Sequence, residues 1–206
     1  AKLLGDVRGL TVADLCAAPG GKSGHLLERY DIDLTSLDND SVRLERVALN
    51  LRRLGLAASL HCVDAAQLAS WWDGRPFDRI LLDVPCSGSG VVRRHPDIKW
   101  IRRESDVAGF VRQQVSLLET LWQCLGIGGR LLYATCSIFH AENLGVVEQF
   151  LLQRTDARRL SIGEGVASEL KHPGESETST LLCTNGQLLP DQAHDGFFYA
   201  LLEKTG

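Results

Sequence analysis

Short apolar runs alternate with longer amphipathic segments along most of the chain, and this alternation constrains the fold more than any other feature. Runs with strand character cover 10–15, 32–37, 57–63, 77–82 and 130–135, and helical patterns cover 21–30, 41–54, 65–72, 106–125 and 141–154. The run Ile80-Leu81-Leu82 is continuously apolar, as expected of a strand covered on both faces. The alternation predicts an α/β fold with a doubly wound, mostly parallel sheet.

The last quarter of the chain follows a less regular pattern. Residues 163–180 are rich in Gly, Ser, Glu and Thr and are predicted to form a loop. Runs 181–183 and 197–202 are predicted as late antiparallel strands, which brings the predicted sheet to seven strands. We expect one domain over 1–206, because a chain of 206 residues can bury one sizeable core.

Composition excludes several classes of protein. No apolar run approaches the roughly 18 residues of a membrane span, and no basic-then-apolar segment opens the chain, so we expect a cytoplasmic protein without a membrane partner. The six cysteines include no C-x-x-C pair, so neither a metal site nor a disulfide framework is expected. Because the chain starts with Ala1 and contains no Met, we expect a domain excised from a longer protein. We also expect a monomer.

A turn of small residues follows the first predicted strand. Small residues let a ligand approach the backbone closely, and the next helix offers its amide groups and the positive end of its dipole. The P-loop pattern G-x-x-x-x-G-K-[ST] is an alternative that Gly21-Lys22-Ser23 matches, although Cys16 stands at its first Gly position and Pro19 removes an amide. The residues that we predict to bind a nucleotide-type cofactor here are Cys16, Ala17, Ala18, Pro19, Gly20, Gly21 and Lys22.

Acidic residues follow three further predicted strands. They are Asp38, Asp64 and Asp83, and the carboxyl ends of parallel strands meet at one edge of a sheet. We predict that Asp38 accepts hydrogen bonds from ribose hydroxyls and that Asp64 bonds an adenine amino group. Asp38 or Asp64 alone would be explained as well by a helix N-cap. Three acidic strand ends around one Gly-rich turn favour a cofactor pocket.

Two cysteines also stand at predicted strand ends. Cys86 follows the fourth strand, Cys136 follows the fifth, and each precedes a Ser. Neighbouring parallel strands would bring both cysteines to the same rim, beside the cofactor. A lone cysteine at a strand end is usually inert packing, whereas such a pair favours chemistry that uses a thiolate.

One stretch of the chain is basic although the net charge is −4, a value that argues against a uniformly basic nucleic-acid surface. Residues 93–103 hold five Lys or Arg residues against one Asp. Such a run fits either a solvated helix start or a contact with a polyanion.

Taken together, the motifs resemble those of the Sun/RsmB (Nop2p/NSUN) family of RNA cytosine-C5 methyltransferases. They are residues 14–22 (DLCAAPGGK), 83–90 (DVPCSGSG), 93–100 (RRHPDIKW) and 134–137 (ATCS), with a further likeness at 195–200 (DGFFYA). The 93–100 run points to the branch that acts on bacterial 16S ribosomal RNA. Val84 stands where many relatives have Ala, and we expect the family's usual N-terminal RNA-binding portion to be absent from this chain.

The resemblance implies a Rossmann-like class I methyltransferase fold, S-adenosylmethionine as cofactor and ribosomal RNA as partner. It implies that Cys136 attacks carbon 6 of cytosine, that Cys86 assists removal of the carbon 5 proton and product release, and that Asp83 holds the base. Lys22 would bond the base or orient Asp83, or else be a surface lysine. The residues expected to contact RNA are Arg93, Arg94, Lys99, Trp100, Arg102 and Arg103, with packing and stacking both open for Trp100.

Three alternatives stay open at this point. An RNA-binding scaffold could keep the fold without turnover, although the presence of Cys136, Cys86 and Asp83 argues against it. A P-loop NTPase would bind a nucleoside triphosphate at residues 20–23. Finally, DNA cytosine methyltransferases use a Pro-Cys nucleophile, so the roles of Cys86 and Cys136 could be exchanged.

Overall fold

A computed structural model describes residues 2–162 and 185–206, which form one mixed sheet with helices packed on both faces. The strands are β1 (Thr11–Leu15), β2 (Asp33–Asp38), β3 (Ser59–Cys62), β4 (Phe77–Asp83), β5 (Leu125–Thr135), β6 (Ala157–Leu160), β7 (Gln187–Leu188) and β8 (Phe197–Lys204). The helices are α1 (Gly21–Arg29), α2 (Ser41–Arg53), α3 (Ile98–Ile101), α4 (Glu104–Trp122) and α5 (Leu144–Gln153). None of the helices in the described ranges is long and apolar enough to cross a membrane.

The prediction of a doubly wound, mostly parallel sheet is confirmed. The strand order is β3-β2-β1-β4-β5-β8-β6, with β1 to β5 parallel, β8 antiparallel to β5 and β6, and β7 paired with β8. The described residues hold eight strands rather than the seven predicted. Strand β6 was missed because its four residues, two of them Arg, are too few and too charged to show a period. The strand predicted over 181–183 lies outside the described residues.

Strand β4 is covered on both faces, as its apolar run predicts. Ile80 and Leu82 pack in a core with α4 and α5, and Leu81 packs in the opposite core with Leu26 of α1. Each such side chain, fully buried, stabilises the fold by about 1.5 to 3 kcal/mol. The centre of the sheet is therefore a rigid support for the loops that leave it.

Two predicted elements differ from the structure. The helix predicted over 65–72 is wrong: only a 3-10 turn at Leu68–Ser70 forms, because Asp64 caps the Ala66 amide and the indole of Trp71 donates to the carbonyl of Ala65. Strand β5 begins at Leu125 rather than at 130, and the long helix before it ends at Trp122. Gly126, Gly128 and Gly129 lie in an irregular first part of β5, where the left-handed conformation of Gly128 accompanies a register shift against β4.

The register of the central strands sets the position of the loops that follow them. Leu15 of β1 pairs with Leu82 of β4, and Asp83 of β4 pairs with Ala134 of β5. The carboxyl ends of β1, β4 and β5 therefore lie side by side at one edge of the sheet. Ligands of open α/β sheets bind at this edge.

Candidate active site

The two cysteines predicted to share a rim are in contact. The sulfur atoms of Cys86 and Cys136 are 3.3 Å apart. Their loops are tied to each other by the backbone, since the Val84 amide donates to the carbonyl of Ala134 and the Gly90 amide donates to the carbonyl of Cys136. A side chain at Gly90 would collide with the backbone of Gly196 and of Cys136, so the close approach of these loops requires a glycine.

The two thiols differ in acidity. The hydrogen bond between the two sulfurs lowers the pKa of Cys136. The same hydrogen bond, followed by burial, raises the pKa of Cys86. Of the two thiols, Cys136 is therefore the one that ionises more readily, and thiolates are the nucleophilic form of cysteine.

An ion pair borders the cysteines. The Lys22 ammonium, at the start of α1, lies 2.5 Å from a carboxylate oxygen of Asp83, at the end of β4. Burial by itself would lower the pKa of Lys22, but the charge and the hydrogen bond of Asp83 raise it overall. The Lys22 charge also contributes to the lowered pKa of Cys136. Lys22 is therefore paired with Asp83, although 42% of its side chain remains exposed.

A buried carboxylate that the sequence motifs did not single out lies beneath both cysteine loops. Glu142 is fully buried, and its carboxylate accepts the Ser87 amide at 2.7 Å, the Ser137 hydroxyl at 2.6 Å and the Gln114 amide at 3.3 Å. Tyr133 of β5 donates its hydroxyl to the Glu142 carbonyl at 2.7 Å. Sequence offered only a weak signal, an acidic residue in the first turn of the helical pattern over 141–154, which is ordinarily a helix-start carboxylate.

The turn between β1 and α1 is held by neighbouring strand ends. The Ala17 amide donates to the carbonyl of Leu37, and the Ala18 amide donates to the carboxylate of Asp38 at 3.2 Å. Cys16 has a φ of 68°, a conformation rare for a residue with a side chain. A side chain on Gly20 would lie 3.0 Å from the Cα of Val47 in α2, so the turn packs closely on that helix.

The same contacts argue against the P-loop alternative. Two amides of the turn already have partners, and the nearby carboxylate of Asp38 would repel a phosphate. The lysine that would reach the phosphates, Lys22, is paired with Asp83. The turn is therefore arranged around acceptors for hydroxyl and amino groups rather than around an anion.

Below the turn, β1 carries a second buried carboxylate. Asp14 accepts the Ser23 hydroxyl at 2.5 Å, and its other carboxylate oxygen has no hydrogen-bond partner. Burial raises the pKa of Asp14 to about 6. It also raises the pKa of Cys16, at the end of the same strand, to about 12, which keeps that thiol neutral.

One cavity of about 240 Å³ extends from this turn to the two cysteines. Asp38 is only 3% exposed, while Asp64 is exposed and also caps the Ala66 amide. Of the residues predicted from sequence, Cys16, Ala18, Asp38, Asp64, Asp83, Cys86 and Cys136 line it. Ala17, Pro19, Gly20, Gly21 and Lys22 shape the adjoining turn and helix start without lining it. Lining residues that sequence reasoning missed are Leu37, Asn39, Arg43, Val63, Ala65, Val84, Pro85, Gln113 and Leu117.

The basic stretch lies on the surface beside the cysteine loops. Trp100 of α3 is 80% exposed, and the Lys99 ammonium lies 5.1 Å from the centre of its ring, so Trp100 is not a packing residue. Arg102 donates to the carbonyl of Ser87, directly after Cys86. Arg93 and Arg94 are both paired with the buried Asp195.

Arg93 and Arg94 are thus partly engaged in an ion pair within the fold. The Asp195 carboxylate offsets one of the two charges of Arg93 and Arg94, whereas Lys99, Arg102 and Arg103 form no ion pair with a carboxylate in the part of the chain that the structure describes. Arg103 stands directly before α4, and its amide is capped by Asp106. Among residues 2–162 and 185–206, no group of three His, Cys, Asp or Glu side chains is arranged to hold a metal ion.

Comparison with known protein families and sequences gives consistent matches. The family described as 16S rRNA methyltransferase RsmB/F matches residues 1–203. The chain is 46% identical over 198 residues to ribosomal RNA small subunit methyltransferase B of Vibrio cholerae. The aligned region covers 95% of this chain and 42% of the relative. The protein of the same name from Pseudomonas syringae pv. tomato is 47% identical over 207 residues, covering 99% and 45%. The chain therefore spans less than half the length of these relatives.

Solved structures share the fold. NSun6 from Pyrococcus horikoshii, crystallised with SFG, superposes with a TM-score of 0.80 at 26% identity, covering all of this chain and 50% of that one. A methyltransferase homologue from Pyrococcus horikoshii has a TM-score of 0.74 at 32% identity, covering 98% of this chain and 63% of that one. The Rossmann-like methyltransferase fold predicted from the motifs is confirmed.

Proposed function

The chain belongs to the RsmB/F family of 16S rRNA methyltransferases, and from this premise we propose that it transfers a methyl group from S-adenosylmethionine to carbon 5 of a cytosine in 16S ribosomal RNA. The observation that carries the proposal is the 3.3 Å contact between the sulfurs of Cys86 and Cys136, beside Asp83 and at the edge of the cavity. The pair supplies both the nucleophile and the proton acceptor that methylation at this carbon requires.

S-adenosylmethionine is the cofactor of this family, and the residues at the ends of β1 to β3 fit it. Each carboxylate oxygen of Asp38 accepts one backbone amide, from Ala18 or Asp40, and each keeps a lone pair for a ribose hydroxyl. Asn39 and the exposed Asp64 line the same cavity and offer acceptors for an adenine amino group. When bound, the cofactor supplies an electrophilic methyl group.

Cys136 is the proposed nucleophile. Carbon 5 of cytosine is too weakly nucleophilic to accept a methyl group unaided. Addition of the Cys136 thiolate to carbon 6 forms a sulfur–carbon bond and shifts the electrons of the ring double bond toward N3, which makes carbon 5 an enamine carbon. The lowered pKa of Cys136 favours the thiolate that this step consumes.

Cys86 is the proposed proton acceptor for the second half of the reaction. Once the sulfur of Cys136 is bonded to carbon 6, it no longer carries a charge or accepts the Cys86 hydrogen. Because these two effects help to raise the pKa of Cys86, their loss allows Cys86 to release its own proton to solvent and, as a thiolate, to accept the proton on carbon 5. The electrons of that carbon–hydrogen bond restore the ring double bond and expel the Cys136 thiolate.

Asp83 and Lys22 hold the base during these steps. The Asp83 carboxylate can accept a hydrogen bond from the exocyclic amine, and its partner Lys22 can donate to the ring. The target nucleotide must leave its stack to reach this position. The exposed Trp100 offers a surface on which a neighbouring base can stack, and Lys99, Arg102 and Arg103 offer phosphate contacts.

The test is methyl transfer from labelled S-adenosylmethionine to unmodified 16S rRNA at low salt, followed by nucleoside analysis and mapping of the modified cytosine. Low salt is chosen because phosphate contacts weaken steeply as salt rises. We expect 5-methylcytidine with the unaltered chain. RNA binding without any transfer would favour the silent scaffold.

Two variants separate the roles of the cysteines. Cys136→Ala should abolish both transfer and the covalent complex seen in denaturing gels, because no sulfur remains to attack carbon 6. Cys86→Ala should leave RNA bonded to the protein, because release needs the proton acceptor. A covalent complex in Cys136→Ala and none in Cys86→Ala would show that the roles are exchanged.

A further inference from the structure

We propose that Glu142 is a positioning residue that sets the distance between the two reactive sulfurs. The inference rests on the proposed function and deepens it. Glu142 lies in a 3-10 turn (His140–Glu142) before α5 and has no contact with the cavity, so it acts through other groups.

Glu142 contacts the residue that follows each of the two cysteines. One carboxylate oxygen accepts the amide of Ser87, which directly follows Cys86, and the other accepts the hydroxyl of Ser137, which directly follows Cys136. Gln114 adds a second link, since its amide group donates both to Glu142 and to the carbonyl of Pro85, just before Cys86. A single buried side chain thus joins the two loops at the residues adjacent to the sulfurs.

Further hydrogen bonds hold Glu142 and the two loops in place. The hydroxyl of Tyr133 anchors the Glu142 backbone. The neighbouring Asn143 accepts the Thr135 hydroxyl at 2.6 Å and donates to the carbonyl of Ser137 at 2.8 Å. Ser89 also bridges the loops, because its hydroxyl lies 3.0 Å from that of Ser137. Several hydrogen bonds therefore hold both the carboxylate and the loops bonded to it.

A carboxylate suits this position for a chemical reason. All three groups that face it, from Ser87, Ser137 and Gln114, are donors, and an ionised carboxylate is an acceptor only. Hydrogen bonds to a charged acceptor are about twice as strong as neutral ones. Burying a carboxylate for stability alone is unfavourable compared with apolar packing. Its presence between the loops is explained by the geometry that it imposes.

The experiment compares Glu142→Gln and Glu142→Ala with Glu148→Gln, which makes the same chemical change at an exposed position of α5. Turnover and KM for S-adenosylmethionine are measured in the transfer assay. A second readout needs neither RNA nor cofactor. Phenylarsine oxide bonds to two adjacent thiols, forming two sulfur–arsenic bonds as its oxygen leaves as water, and its affinity reports the sulfur separation. Cys86→Ser identifies the part of the binding that is due to this pair.

For Glu142→Gln we expect kcat to fall by roughly 10- to 100-fold, as for a displacement of reacting groups by about 1 Å. The KM for S-adenosylmethionine should not change, and arsenical affinity should fall. Glu142→Ala should show larger losses, and Glu148→Gln should match the unaltered chain. If Glu142→Ala does not fold, Glu142→Gln still decides the matter, because one amide oxygen can keep the Ser87 contact.

The outcomes separate this inference from the proposed function. A lower melting temperature in Glu142→Gln with unchanged arsenical affinity and kcat would overturn the positioning role. Lost arsenical affinity in Glu142→Gln, together with no methyl transfer by the unaltered chain, would reject the proposed function and leave the positioning role standing.

Discussion

At the ends of β1 to β3 the loops are tied mainly through backbone amides, whereas at the ends of β4 and β5 side chains cross-link one loop to the other. The Ala17 and Ala18 amides bond to the Leu37 carbonyl and to Asp38, around a cavity. In the cysteine loops, the buried Glu142 and the half-buried Ser89 add side-chain links between the loops to the backbone hydrogen bonds. Both regions line the same cavity, but a buried carboxylate cross-links the loops only in the second.

The difference fits what the proposed function requires of each region. A cofactor site must admit and release its ligand, so its acceptors can be spaced around an open cavity. Covalent chemistry tolerates much smaller errors, because a displacement of about 1 Å can cost on the order of 100-fold in rate. The denser network surrounds the two sulfurs, which lie 3.3 Å apart.

The largest effect on activity is expected from Asp83→Asn, which removes the carboxylate charge at the boundary between the two regions. The variant loses the ion pair with Lys22 and the charged acceptor for the base. We expect kcat for methyl transfer to fall by roughly 100- to 10,000-fold, the usual range for a group that assists proton movement. Asp73→Asn, at an exposed turn, is the matched control. If Asp83→Asn instead weakened cofactor binding as strongly as turnover, the division into two regions would not hold.

The next effect concerns the buried carboxylate under the cofactor turn. Because burial raises the pKa of Asp14 from 3.8 to about 6, the folded chain binds this proton more tightly than the unfolded chain. The associated stability is fully present below a pH of about 4 and is lost as the pH rises through about 6, a loss on the order of 3 kcal/mol. Asp14→Asn removes this titrating group. The difference in unfolding free energy, variant minus unaltered chain, should therefore increase as the pH rises from about 4 to about 6.

Urea unfolding at a series of pH values measures this change. Asp33→Asn, at an exposed position of β2, should keep the pH dependence of the unaltered chain. Identical pH profiles for Asp14→Asn and the unaltered chain would mean that the second carboxylate oxygen of Asp14 has a hydrogen-bond partner in solution. The buried polar groups of the cofactor region would then be hydrogen-bonded as completely as those of the cysteine region.

The smallest effect is expected from Asp38→Asn in the cofactor region. The amide keeps one acceptor for the Ala18 or Asp40 backbone but loses the charge that strengthens hydrogen bonds to the ribose. Such a loss of about 1.5 to 3 kcal/mol corresponds to roughly 10- to 100-fold weaker binding. Calorimetric titration with S-adenosylhomocysteine measures it. Asp64→Asn, which changes an exposed carboxylate of the same cavity, should weaken binding less; the reverse order would contradict the ribose assignment.

Local sequence patterns were sufficient to predict the parallel part of the sheet. The apolar run of β4 and the small residues before α1 predict their elements because each signal lies within a few residues. Patterns failed where long-range contacts decide the structure. The segment 65–72 looks helical, but the indole of Trp71 bonds back to Ala65, and β6 forms only because β8 offers it an edge.

The candidate site divides in the same way. Sequence alone placed Cys86, Cys136, Asp38 and Asp83 at strand ends and identified the family, because residue type and spacing along the chain carry that information. It did not show that Trp100 is exposed or that Lys22 pairs with Asp83. Only the tertiary structure decided the separation of the sulfurs and the place of Glu142 between their loops. Both depend on strand register and on burial, which are settled by contacts between residues far apart in the chain.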